Sequence, residues 1–139
     1  MKNLIFSLIA SVALICSAPV VNAQVWDMTS SDNFTTDTVT NTGTAYLSLK
    51  VTGYYGVSIQ LTMTKISGTV GGSVVLQGSN DGTNYVTIPS SGSLTATNVT
   101  SQGYLWYYSN SPYLYYRVLA TGTGTMAAII SAKIMYRKP

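Results

Sequence analysis

The side chains best suited to chemistry crowd into one stretch. Tyr104, Trp106, Tyr107, Tyr108, Tyr113, Tyr115 and Tyr116 lead up to Arg117, and six of the chain's 11 tyrosines fall there. A phenol joins a large flat apolar face to a polar tip. It can therefore stack on a ligand such as a sugar, or fill a protein interface at low entropic cost. Arg117 sits inside an apolar run, where its guanidinium can stack on a ring or pair with an Asp. These eight residues form the candidate interface or ligand surface. Tyrosines also stabilise a sheet through cross-strand aromatic pairs, which calls for no ligand.

Catalysis has little to draw on. After residue 23 the chain holds no His, Glu or Cys, and its ionisable groups are four Asp, four Lys, two Arg and the tyrosines. Ser-His-Asp and Cys-His arrangements are excluded, as are zinc sites of the usual kind. No S-x-x-K motif supports a Ser-Lys dyad in this part of the chain. Asp27, Asp32 and Asp37 recur every five residues. A calcium loop spaces its carboxylates more closely, so these three read as charges on a solvated segment. The expectation is a non-enzyme with no catalytic residue, metal or cofactor. Six cations against four acids after residue 23 give a net charge of +2, with three cations in the last seven residues. No basic stripe interleaves with aromatics, so nucleic acid is not an expected partner.

Lys2, an apolar run over 4–15 and Val21-Asn22-Ala23 give a charged start, a short apolar core and a cleavage point. This predicts a secretory signal peptide over 1–23, cut after Ala23. The run is too short for a membrane span, which takes about 20 residues. The mature chain is then secreted, extracellular or periplasmic, with no membrane association after cleavage. Cys16 leaves with the signal, so no disulfide framework is expected. The bulky Ile15 before it argues against lipoprotein processing.

Strands must hold the candidate residues. Residues 24–42 are polar and read as an arm or edge strand, with Trp26 available to pin it. Residues 45–51 set Ala45, Leu47, Leu49 and Val51 against Tyr46, Ser48 and Lys50. Residues 57–64 set Val57, Ile59, Leu61 and Met63 against polar neighbours. Residues 126–136 place Ala128, Ile130, Ala132, Ile134 and Tyr136 on one face. A period of two buries one face of a strand and would scatter around a helix.

Runs at 74–77 and 85–88 flank Gly78-Ser79-Asn80-Asp81-Gly82-Thr83-Asn84. Asp-Gly there predicts an exposed hairpin tip with Gly82 at positive φ. Residues 104–108 and 113–120 are β-rich around Ser109-Asn110-Ser111-Pro112, and Pro112 suits a turn or an edge. Leu94 and Val99 anchor weak strands at most. Seven to eight strands, with turns every roughly 8–12 residues and no helix beyond the signal, predict an all-β fold. The expected architecture is an antiparallel β-sandwich over 43–139, jelly-roll or Ig-like. The runs at 104–108 and 113–116 carry only Arg117 nearby and read as unprotected edges. Natural edges are guarded by charge, and interfaces are depleted in it. A homo-oligomer or array that partly buries 104–116 between subunits follows.

Lys65-Ile66-Ser67-Gly68-Thr69-Val70, followed by Leu76-Gln77-Gly78-Ser79-Asn80-Asp81-Gly82-Thr83-Asn84-Tyr85, resembles small β-sandwich proteins of tailed bacteriophage virions. So does Tyr115-Tyr116-Arg117-Val118 leading into Thr121-Gly122-Thr123-Gly124-Thr125. The Gly-Ser-Asn-Asp-Gly hairpin is also similar to one in discoidin-like carbohydrate-binding sandwiches. The first resemblance implies a non-catalytic structural protein, virion-like or in an extracellular assembly, whose partners are its own copies or other structural proteins. The second implies a secreted or cell-surface module that recognises a glycan through an aromatic surface. The signal segment departs from the virion pattern, because virion proteins normally assemble in the cytoplasm.

Overall fold

Alternating β-branched and polar residues become strand throughout the part of the chain that the computed structural model describes, residues 24–52 and 56–137. The expected signal peptide and the Gly53-Tyr54-Tyr55 part of one turn lie outside the described residues. Ten strands run in order: β1 (Gln24–Asp27), β2 (Thr36–Thr40), β3 (Thr44–Lys50), β4 (Val57–Gly68), β5 (Gly72–Ser79), β6 (Val86–Thr87), β7 (Ser93–Ala96), β8 (Ser101–Tyr108), β9 (Tyr115–Gly122) and β10 (Met126–Tyr136). No helix occurs among the described residues.

The strands form two antiparallel sheets. In the first, β4 lies between β10 and β8, and β1 and β2 share the other side of β10. In the second, β9 lies between β3 and β5, and β6 and β7 share the far side of β5. The pairing is nested, β2 with β10, β3 with β9, β4 with β8 and β5 with β7. Both inner faces close on one core. Ile59, Leu61, Ile130 and Ile134 of the first sheet join Leu47, Leu76, Val118 and Ala120 of the second. Each buried Leu, Ile or Val is worth roughly 1.5–3 kcal/mol. A one-residue slip would turn a whole strand's apolar set to water, so this burial locks the register.

Four expectations change. There are ten strands, not seven to eight, because the polar stretch expected as one arm or edge strand forms both β1 and β2, and the weak anchor at Leu94 forms β7; none of the three shows much apolar alternation. The residue that pins the N-terminal segment is Met28, fully buried, while Trp26 stays 47% exposed. β4 runs past residue 64 to Gly68 and is bulged there: Ala127 pairs with Ser67 but Ala128 with Lys65. The bulge lets a long strand keep pairing while it bends. The strand expected over 113–120 starts only at Tyr115 and is central in its sheet, not an edge.

Candidate functional site

The eight candidate residues do not make one surface. β8 and β9 belong to opposite sheets, so the connection after Tyr108 carries the chain from one sheet to the other, and alternation acts separately in each. Trp106 and Tyr116 are buried in the core, with Tyr104, Tyr108 and Tyr113 packed against it. The Trp106 indole N–H donates to the Gly92 carbonyl at 3.4 Å, and its ring lies 4.8 Å from that of Tyr104. Tyr113 meets Tyr116 edge-on at 5.9 Å and occupies the space that Gly78 leaves. A Cβ on Gly78 would come within 2.6 Å of that ring. Large aromatic area drove these five side chains inward.

The buried hydroxyls are treated unequally. Tyr116 and Ser111 share a hydrogen bond of 2.8 Å, and Ser111 Oγ also donates to the Tyr113 carbonyl. The Tyr116 phenol is then the donor to Ser111. The Tyr108 hydroxyl has no partner in hydrogen-bond geometry among the described residues. Burial pushes both phenols above their ordinary value. The Ser111 bond offsets part of the shift at Tyr116, and the Ser91 hydroxyl offsets part at Tyr108, without good hydrogen-bond geometry.

The remaining three candidates divide between two outer faces. Tyr115 and Arg117 lie on the outside of the second sheet, in cross-strand rows. Ser48 pairs with Arg117, Arg117 with Gln77 and Gln77 with Thr87; in the next row Lys50 pairs with Tyr115. Arg117 Nε donates to Gln77 Oε1 at 2.8 Å. Gln77 is only 8% exposed, and its amide N–H reaches Thr87 Oγ1 at 3.4 Å, which fixes its orientation. The guanidinium lies 4.0 Å from the centre of the Tyr85 ring and 5.3 Å from that of Tyr46. Burial raises the Tyr85 phenol, while the Arg117 charge and the Ser48 hydroxyl pull it back down. Lys50 sits 5.5 Å from the centre of the Tyr115 ring.

The hairpin loop after β5 borders this face. Asp81 Oδ1 accepts from the Thr83 and Asn84 amides, both at 2.8 Å, and Oδ2 from the Asn84 side chain at 2.8 Å. Ser79 also donates to Oδ1, at 2.9 Å. These donors, the Asn84 side chain foremost, hold the Asp81 carboxyl well below the usual range. Gly82 has φ 75°, as the Asp-Gly signal required. The loop leans on the sheet instead of standing clear, since a Cβ on Gly82 would lie 3.0 Å from the Tyr115 ring.

Tyr107 is on the outer face of the first sheet, beside Leu105, and the two are 69% and 63% exposed. Leu105 lines a shallow depression of about 550 Å³ between β4 and β8, with Gln60, Thr62 and Gly103 among others. β8 ends its sheet, and among the described residues no strand pairs with its outer side. The edges at β3, β6, β7 and β1 are guarded. Thr29 exchanges backbone hydrogen bonds with Ser48 of β3 at 3.0 and 2.7 Å, and Asp37 Oδ2 accepts from the Tyr46 amide at 2.9 Å. β6 and β7 are two and four residues long. β1 carries Asp27, ion-paired with Lys133 at 2.7 Å. β8 is eight residues long and has no charged side chain.

Tyr46, Gln77 and Tyr85 belong to the Arg117 arrangement but were not among the candidates. A signal for Tyr46 existed, because alternation over 45–51 places it with Ser48 and Lys50 on the outer side. Nothing local linked Gln77 and Tyr85 to Arg117, which is 40 residues from Gln77 in the chain. Compared with known proteins, the chain matches no protein-family model and no curated protein.

Proposed function

We propose that this chain is a non-catalytic structural protein that assembles with copies of itself through β8, in a virion-like or extracellular array. One observation carries the reading: the edges at β1, β3, β6 and β7 are guarded, while β8 offers eight uncharged residues whose outer side no strand among the described residues pairs with. A strand of that kind templates pairing with another chain. Two copies of β8 meeting antiparallel across a two-fold axis would extend the first sheet and bring no like charges together. Leu105 and Tyr107 would cover each other on the outer face. This places the interface on one strand, in contrast to the broader 104–116 region expected from composition. The nested strand pairing supports a jelly roll over an Ig-like sandwich. Secretion with cleavage after Ala23 completes the reading and rests on the N-terminal pattern alone.

Light scattering on secreted material, whose intact mass should begin at Gln24, tests the proposal. The parent should form dimers or larger species at micromolar concentration. Leu105→Lys with Tyr107→Lys should give monomers with unchanged melting, because both side chains are already exposed. A parent that stays monomeric, or a double variant that still assembles, refutes it. A second reading, a surface module that binds carbohydrate, is favoured by one specific arrangement: Arg117 held against Tyr85 and Tyr46 on the opposite face of the sandwich.

A further inference from the structure

We infer that the outer face of the second sheet binds an acidic saccharide, with the sugar carboxylate held by Arg117; this rests on the carbohydrate reading and adds the charge of the ligand. Arg117 stands in the middle of a central strand and is only half-exposed. A guanidinium in that position ordinarily meets a carboxylate. Here none does: among the described residues the only ion pair is Asp27 with Lys133. Both oxygens of Asp37 accept backbone amides, from Thr38 and Tyr46. The carboxylate oxygens of Asp81 are taken up by donors of its own loop. Arg117 uses Nε on Gln77, and no acceptor among the described residues meets Nη1 or Nη2.

The group is also held in orientation. Gln77 is itself tied to Thr87, and the Tyr85 ring lies against the guanidinium. An oriented guanidinium whose two amino groups meet no acceptor among the described residues matches a carboxylate bidentately. Lys50 follows two residues along β3 from Ser48, roughly 7 Å by strand geometry, and adds a second positive charge with no ion-pair partner among the described residues. Tyr46, Tyr85 and Tyr115 bring ring faces and hydroxyls beside the two cations, and Ser48 and Thr87 add further hydroxyls. Rings to stack on, hydroxyls to exchange hydrogen bonds and one fixed fork for an anion together fit a carboxylate-bearing sugar. An acidic peptide would use the cations but has no call on the rings.

Calorimetric titration of the mature chain with oligogalacturonate decides this, with galactose oligomers of equal length and a glutamate peptide as comparisons. Oligogalacturonate should bind at least tenfold more tightly than either, and its affinity should fall as salt rises. Arg117→Lys keeps the charge but loses the fork, and should weaken it at least tenfold with the fold intact by circular dichroism. Lys50→Ala, at an exposed position, should weaken it a few-fold and serves if Arg117→Lys does not fold. Equal binding of neutral and acidic oligomers overturns the acidic assignment and leaves the carbohydrate reading. Preference for the glutamate peptide overturns the assignment in favour of a protein ligand. Binding of none of the three overturns both.

Discussion

Two substitutions of the same chemistry should act with opposite sign. Tyr116→Phe and Tyr108→Phe each delete one buried hydroxyl from rings whose centres lie 6.3 Å apart. The Tyr116 hydroxyl donates to Ser111 at 2.8 Å, and a neutral hydrogen bond of this kind nets roughly 0.5–1.5 kcal/mol. Ser111 keeps its own bond to the Tyr113 carbonyl at 3.1 Å, so it is not fully orphaned. The expected loss for Tyr116→Phe is therefore about 1 kcal/mol, or a drop of about 4 °C in Tm for a domain of this size. The Tyr108 hydroxyl is buried without a partner in hydrogen-bond geometry among the described residues. Leaving such a group unsatisfied costs about 1–3 kcal/mol, so Tyr108→Phe should melt at or above the parent. Ring packing is preserved in both variants, which isolates the hydroxyl. Urea unfolding with an unchanged m value is the assay. A Tyr108→Phe protein less stable than Tyr116→Phe would refute the assignment of the two hydroxyls.

Two further tests concern the hairpin after β5. Gly82→Val places a β-branched residue at φ 75° and against the Tyr115 ring; it should lose about 1–3 kcal/mol, measured by thermal unfolding, and parent-like melting contradicts the turn. For Asp81, the lowered carboxyl means the loop's stabilisation is present above the usual aspartate range and is lost only as pH falls through the depressed value. Exchange protection of the Thr83 and Asn84 amides should therefore persist through mild acid and vanish in strong acid, while Asp81→Ala should lose it at neutral pH. Loss of protection in the parent already at the usual aspartate value would show that the network does not form.

The residues themselves determined the secondary structure and its facing. Period-two runs in β3, β4 and β10 could bury only one side, and Ile59, Leu61, Ile130 and Ile134 are buried as that period requires. Asp81-Gly82 specified its turn through local backbone chemistry. The polar stretch over 24–42 carries too little periodic signal to separate β1 from β2, and β7 shows only Leu94; pairing with β10 and β5 supplies what local propensity does not. Tertiary structure alone decided where the aromatics act. Composition placed eight candidates side by side, but the crossing between β8 and β9 sent them to different sheets, and burial of large rings drew five inward. It also decided which edge stays open, since the capping of β3 comes from Thr29 and Asp37, and which side chains surround Arg117. Gln77 and Tyr85 reach it only through the pairing of β5 with β9 and β6. Alternation records which face a side chain takes within its own strand; the neighbour across the sheet is chosen by long-range pairing, which leaves no periodic mark in the chain.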